Sequence, residues 1–392
     1  MPYLLLAASL LALVVTYGTP AAGLARLALG AGLAMVLTGH LTPVLAKAAL
    51  RFGIVDRPDG VLKRHGRPVP YLGGLALGLA FLVSLSLLFR YDQRMMGILL
   101  AGAVALLLGL VDDLGSLSWQ VKFAGQGLAV LVLLKSGVFV SISILPLWAN
   151  LTLSILWLLA LTNAMNLIDI SDGLAPGVAL FASAGFLITA LFSGAPLLAI
   201  LAATLFGALA GFAPFNFPPA RIYLGDAGSM FLGLTLGGIS LAGSYTSASP
   251  WGLATPVLIL AVPIFDTVYV VLMRLGRGTN PFLGSPDHLA VRLRHHGWPA
   301  GRIALAGSLA TVVTSAAGIL LLLVPSSVAL KIVGCVVVGW GAAGFWLWGV
   351  DVHTGREAAP GRLPAPGAVV QIADGETVLS TEEGRSGAGG RL

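Results

Sequence analysis

Long apolar runs recur along the whole chain, separated by short polar interruptions. They fall at roughly 27–49, 71–89, 96–111, 122–135, 150–168, 175–193, 196–213, 228–244, 253–274, 303–324 and 328–349, with a further short apolar segment at 3–17. None alternates polar and apolar positions as a barrel strand would. A backbone in lipid must satisfy its own hydrogen bonds, so each run predicts a helix. Several runs are shorter than the ~20 residues that cross the hydrocarbon, which leaves their ends loose. The pattern predicts an all-α, polytopic integral membrane protein with about 11 transmembrane helices (10–12) over residues 1–350. Residues 351–392, rich in Gly, Pro, Ser and Glu, are expected to form a disordered cytoplasmic tail. The 3–17 segment lacks an Ala-x-Ala-like cleavage site and is expected to be a retained helix.

Composition agrees with the pattern. Of 392 residues, 57% are hydrophobic and 10% charged, with a mean hydropathy of +0.95, which excludes a soluble domain. The single cysteine, Cys335, excludes a disulfide framework. The net charge of +6 is no nucleic-acid signal, because the basic residues lie mostly between spans. Their distribution is one-sided. Alternate loops (50–70, 112–121, 169–174, 214–227, 275–302 and the tail) carry Arg51, Arg57, Lys63, Arg64, Arg67, Arg221, Arg274, Arg277, Arg292, Arg294 and Arg302. The other loops hold little beyond Arg90 and Arg94. The positive-inside rule places the first set in the cytoplasm. Most unusual polar residues share that face, whereas a channel or alternating-access transporter usually carries polar groups at mid-membrane as well. The layout therefore favours an enzyme working at the cytoplasmic membrane surface.

Five stretches on that face carry candidate chemistry. Asp112 and Asp113 end the run 96–111, where the helix dipole disfavours acids by roughly 0.3–1 kcal/mol each. A cation nearby would reverse that penalty, and Lys122, opening the next helix, could neutralise Asp113 or hold an anionic substrate near Asp112. Asn163, Asn166, Asp169 and Asp172 recur every third residue, sharing one face if the helix continues. Asp226 lies between Gly225 and Gly228 at a helix start, suited to a cap or to close approach of a ligand, with Tyr223 able to stack on a base. The stretch 53–74 places Lys63, Arg64, His65 and Arg67 before a Gly-Gly helix start, a setting that favours phosphate or simply marks a positive-inside loop. Finally, 275–302 gathers Asp287, His288, Arg292, Arg294, His295 and His296, open equally to phosphate binding or to topology, without zinc-site spacing. Asp266 is an acid inside a span and needs a polar partner.

In their order and spacing, over about residues 25–350, these motifs resemble the polyprenyl-phosphate N-acetylhexosamine-1-phosphate transferases. The resemblance implies transfer of a sugar-1-phosphate from a UDP-sugar to a polyprenyl phosphate with release of UMP, initiating cell-envelope glycan synthesis. It implies Mg²⁺, with Mn²⁺ as the alternative, an active site on the cytoplasmic face of the plasma membrane and, by family analogy, a homodimer. Asp112 resembles the carboxylate that deprotonates or orients the lipid phosphate, with Asp113 its partner and Lys122 the lysine near that phosphate. Asp226 resembles the magnesium ligand. Asn163, Asn166, Asp169 and Asp172 match a stretch associated with nucleotide and metal, which adds Asp169 as a second candidate ligand. Asn216 and Tyr223 match nucleoside-pocket positions, and Lys63 and His65 match the basic positions of the first loop. His288 matches the first histidine of a histidine-rich motif.

There are departures. Ile170 stands where glycine is usual. Ala290 and Val291 stand where further histidines are expected, leaving Arg292 or Arg294 to meet a diphosphate. Val69-Pro70-Tyr71-Leu72 replaces a Thr-Pro-Thr-Met-like stretch of the lipid I enzymes, which places the chain nearer the branch that initiates O-antigen, common antigen and teichoic acid linkage units. A transporter or flippase coupled through the aspartates, and an inactive family scaffold, remain open at this level.

Overall fold

The computed structural model describes residues 22–56, 68–88, 92–243, 245, 249–280, 286–350, 352, 372–373 and 376–377. Helix α1 (Ala22–Phe52) leads to a two-residue strand β1 (Val55–Asp56), which pairs antiparallel with β2 (Val69–Pro70). The helices α2 (Gly73–Leu88), α3 (Gln93–Gly115), α4 (Trp119–Lys135), α5 (Leu147–Ile168), α6 (Leu174–Phe192), α7 (Pro196–Asn216) and α8 (Gly225–Ala242) follow. A 3₁₀ turn at Pro250–Leu253 opens α9 (Ala254–Ile259), which breaks into α10 (Ala261–Gly276). A short α11 (Leu289–His295) precedes α12 (Ala300–Leu320) and α13 (Ser326–Trp348).

Every apolar run from 27 to 349 is helical over most of its described residues, and the chain is an all-α polytopic membrane protein. The expected count of about 11 spans is not confirmed by helix length. Among the described residues seven helices are long and apolar enough to cross a membrane, and the bent α9–α10 pair makes an eighth. That pair turns by 76°. Pro263 contributes to the break, since it has no N–H to offer the carbonyl one turn earlier. The expected loops are also shorter than drawn from hydropathy. Helix α3 runs on to Gly115 and so includes Asp112 and Asp113, and α11 occupies part of 275–302.

Helix α8 is the centre of the bundle. From Gly225 to Ser240 every residue except Asp226 is buried, against α2, α3 and α5. Small residues permit this. A Cβ on Gly109 of α3 would lie 2.3 Å from the Asp226 carbonyl oxygen, and one on Gly74 of α2 would lie 2.1 Å from the Gly228 nitrogen. The backbones therefore touch, as small residues allow where helices meet in lipid. At the rim, α13 buries only Ala329, Gly344 and Leu347, and Phe345 is 85% exposed, an outward-facing apolar surface suited to acyl chains.

From Val352 onward the described residues include β3 (Ile372–Ala373) paired antiparallel with β4 (Glu376–Thr377). Lys63, His65, the segment 3–17 and most of the tail lie outside the described residues.

The backbone contact at Gly109 predicts that Gly109→Val destabilises by about 1–3 kcal/mol through overpacking. Gly127→Val on α4, where the space beside the glycine is open, serves as the control. Thermal unfolding in detergent is the measurement, and equal midpoints for the two variants would refute the contact.

Candidate active site

The N-terminus of α8 organises the site. Its first turn begins at Gly225, whose φ of +73° suits glycine, and whose missing Cβ leaves room for Asp113, 2.7 Å from where that atom would stand. Leu224, the residue at the cap position, offers no capping side chain. The carboxylate of Asp113 supplies the cap from another helix. Its two oxygens accept from the Asp226 amide at 2.8 Å and the Ala227 amide at 3.0 Å. An acid placed badly for the dipole of α3 thus sits well for that of α8.

Asp112 turns elsewhere. Its Oδ1 accepts from the Leu117 amide at 2.6 Å, and its Oδ2 pairs with Lys122 Nζ. The same ammonium reaches Asp226 Oδ2 at 2.9 Å, so Lys122 bridges Asp112 and Asp226. Of the two openings for Lys122, pairing with Asp113 or standing near Asp112, the structure shows the second. The reason is geometric: Asp113 faces the amides of α8, and the acid that α8 projects towards Lys122 is Asp226. Asp226 also accepts from Asn166 Nδ2 at 2.8 Å, and that amide reaches Ser229 Oγ at 2.9 Å.

The helix bearing Asn163 and Asn166 does not continue through Asp172. It ends at Ile168, Asp169 occupies the C-cap, and Gly173 takes φ +73° before α6 begins. The expected single face is therefore split between a helix and a tight connection. Asn163 pairs with Gln126 of α4, donating to it at 2.9 Å, and does not line the cleft that the acids form. Asp172 accepts from the Ala220 amide at 3.0 Å. Asn216 accepts from Gly173 N at 3.0 Å and donates to Ile222 O at 2.9 Å, so its amide ties two loops together.

These residues converge on one cleft of about 1200 Å³, lined by Asp112, Asp113, Asp169, Asp172 and Asp226, together with Asn216, Tyr223 and Arg294. Asp56 and Tyr71 also line it, and neither was assigned to the site from sequence. The β1–β2 pairing carries Asp56 back beside Val69, and the Tyr223 amide donates to the Pro70 carbonyl at 2.9 Å. Tyr71 donates a hydrogen bond to Asp56, and its ring lies 5.9 Å from that of Tyr223. The available signal was an acid, Asp56, at the start of a basic loop whose far end returns to a Gly-Gly helix start.

Six carboxylates on one wall affect one another. Burial, then the charges of Asp226, Asp113 and Asp172, push the Asp169 carboxyl well above its usual range. Burial and Asp56 raise the Tyr71 phenol. Burial, then Asp172 and Asp56, push Tyr223 up to about 12.

Two expected site residues are placed elsewhere. His288 Nδ1 lies 2.8 Å from Asp266 Oδ2 in a buried pair, which supplies the partner Asp266 requires. Arg292 is fully buried. It pairs with Asp287 at 2.6 Å and donates to the carbonyls of Leu347 and Val350. Neither lines the cleft; of the two candidate arginines, the one that does is Arg294. Among the described residues no three His, Cys, Asp or Glu side chains form a ready-made metal cage.

A family model described as Glycosyl transferase family 4 matches residues 95–244, which span the Asp112, Asp169 and Asp226 elements. The chain is 34% identical over 311 residues to a decaprenyl-phosphate N-acetylglucosaminephosphotransferase of Mycolicibacterium smegmatis, covering 69% of this chain and 76% of the relative. It is 34% identical over 252 residues to an undecaprenyl-phosphate alpha-N-acetylglucosaminyl 1-phosphate transferase of Thermotoga maritima, covering 64% of this chain and 76% of the relative. It is 30% identical over 323 residues to a phospho-N-acetylmuramoyl-pentapeptide-transferase of Moorella thermoacetica, covering 74% and 97%.

The raised Asp169 carboxyl has a definite sign. Above the ordinary carboxyl range the unfolded chain has lost this proton while the folded chain retains it, so Asp169 lowers stability progressively as pH rises towards its folded value. Asp169→Asn removes that penalty. Its thermal midpoint relative to wild type is expected to increase between pH 5 and pH 8 in cation-free detergent. A pH-independent difference would contradict the charge crowding.

Proposed function

The chain belongs to glycosyl transferase family 4, and from that premise we propose that it transfers N-acetylglucosamine-1-phosphate from its UDP-sugar to a polyprenyl phosphate. The products are polyprenyl-diphosphate-sugar and UMP, and the step initiates a cell-envelope glycan. The observation that carries this reading is the cleft at the start of α8, where Asp112, Lys122 and Asp226 meet. Its placement on the loop set rich in Arg and Lys supports a cytoplasmic site, where a soluble nucleotide sugar and a membrane-anchored phosphate can meet.

The bond changes are simple. An oxygen of the lipid phosphate forms a bond to the sugar-bearing phosphorus of the donor. The bond from that phosphorus to the bridging oxygen breaks, and UMP leaves with that oxygen and its electron pair. Asp112 orients the attacking phosphate and takes its proton if it arrives protonated. Lys122, lying between Asp112 and Asp226, is placed to draw the lipid phosphate towards the acids. Tyr223 offers a ring to the uracil, beside Tyr71. Holding two polyanions in reacting geometry is where such a site gains most of its rate.

The donor set fits a divalent cation. Hard carboxylates crowd the wall, and an ammonium already bridges two of them, so the position attracts positive charge. Asp226, with Asp169, would hold Mg²⁺ or Mn²⁺. The absence of a complete protein cage among the described residues is in keeping with magnesium, which is commonly held by one or two carboxylates plus substrate phosphates. When bound, the ion would neutralise the diphosphate and the UMP leaving group. Acids inside several spans would favour the transporter alternative; Asp266 is almost alone there in sequence, and it is bound to His288 and the Leu289 amide.

In membranes supplied with Mg²⁺, polyprenyl phosphate and UDP-N-acetylglucosamine, Asp226→Ala is expected to abolish transfer. Asp112→Asn is expected to lower it about 100-fold or more while thermal stability changes little, the range for removing a positioned proton-transfer group. Full activity in Asp226→Ala would sink the cation assignment.

A further inference from the structure

The acidic cleft must admit a diphosphate, yet its wall is mostly carboxylate. Lys122 is already engaged with Asp112 and Asp226, and the basic side chains that line the cleft among the described residues are Arg294, a permanent cation, and His295. Both come from α11, a helix of seven residues. So short a helix does not hold its own place.

What holds α11 is a set of buried charged groups outside the cleft. Asp266, in the span α10, accepts from the Leu289 amide at 2.8 Å with Oδ1 and pairs with His288 at 2.8 Å through Oδ2. It therefore caps the N-terminus of α11 from another helix, just as Asp113 caps α8. Arg292, on the opposite side of α11 from Arg294, joins Asp287 to the carbonyls of Leu347 and Val350 at the end of α13. With its start and one face fixed, α11 turns Arg294 towards the cleft, where Nη2 donates to Ser171 Oγ at 3.3 Å, beside Asp169 and Asp172.

We propose that Arg294 binds the diphosphate of the nucleotide-sugar donor and that Asp266 is the positioning residue that aims it, by capping α11 from α10. The proposal rests on the donor assignment above. Arginine suits the ligand, since its planar fork can donate two hydrogen bonds to phosphate oxygens. The acceptor phosphate is assigned to the Lys122 side, so the two anions enter against different cations.

The test reads UDP binding to detergent-purified protein by calorimetry, alongside transfer kinetics. Arg294→Gln is expected to weaken UDP about tenfold and to raise KM for the UDP-sugar in proportion, with a much smaller change in kcat. Arg294→Lys should recover part of the loss. Asp266→Asn should reproduce the UDP defect and add little to it in the double variant with Arg294→Gln. Because Asp266 is buried and its variant can fail to fold, Leu289→Pro provides a second route. It removes the amide N–H that donates to Asp266, at the first helical position, where proline is favoured, and Leu289→Ala, which keeps that N–H while losing the side-chain packing against Tyr269, Met273 and Leu347, is the control. His288 at φ −61°, ψ 147° already has the conformation a following proline requires. UDP binding unchanged in Arg294→Gln would overturn the ligand assignment. UDP binding weakened in Arg294→Gln but unchanged in Leu289→Pro and Asp266→Asn would overturn the positioning role. A wild-type protein that binds UDP but transfers to no polyprenyl phosphate would contradict the transferase reading alone, with the UDP comparison still deciding Arg294.

Discussion

Two backbone amides at the start of α8, those of Asp226 and Ala227, are capped by the carboxylate of Asp113 from α3. The rest of the site depends on this contact. It closes a helix terminus at the end of a buried helix, where uncapped amides would be costly. It joins α3 to α8 at the level of the Gly109 backbone contact. It also fixes the rotation of α8, so that Asp226 projects towards Lys122 and Asn166 rather than towards the bundle. Adjacent residues on α3 thus make different contacts: Asp113 builds the helix start, and Asp112 pairs with Lys122 in the cleft.

The second constraint is charge. Six aspartates line one cleft, and Lys122, which pairs with two of them, offsets only part of their charge. Such a wall stores repulsion that a cation or a cationic side chain relieves. The upward shift of Asp169 expresses this crowding. The substrates proposed for the site are themselves anionic, so they can bind only with positive charge brought alongside. Lys122 and Arg294 enter from different helices, and a divalent ion would complete the balance between acids and phosphates.

Much of this was legible in the chain. Apolar runs located the helices because a backbone in lipid has few other options. Loop arginines separated a chemical face from a bare one. Asp226 was readable as a helix-start acid from the glycines around it. What stayed hidden depended on distant contacts or on direction. The amide that Asp113 caps lies 113 residues away, so local sequence showed only an acid at the wrong end of its own helix. The regular spacing of Asn163, Asn166, Asp169 and Asp172 suggested one face, but the helix stops at Ile168 and Gly173 turns the chain. Asp56 joins the cleft only through the β1–β2 pairing. Arg292 and Arg294 were left as alternatives, although residues two apart on a helix point to nearly opposite sides. The structure turns Arg292 inward and Arg294 to the cleft.

The most direct test is the exchange of labelled UMP into UDP-N-acetylglucosamine by membranes carrying the full chain, comparing wild type with Asp113→Asn and Asp113→Ala. Exchange reports making and breaking of the donor diphosphate and needs the site assembled around α8. The account predicts exchange by wild type, a loss of about tenfold or more in Asp113→Asn, where one capping acceptor remains, and a larger loss in Asp113→Ala. Exchange at the wild-type rate in Asp113→Ala would contradict it.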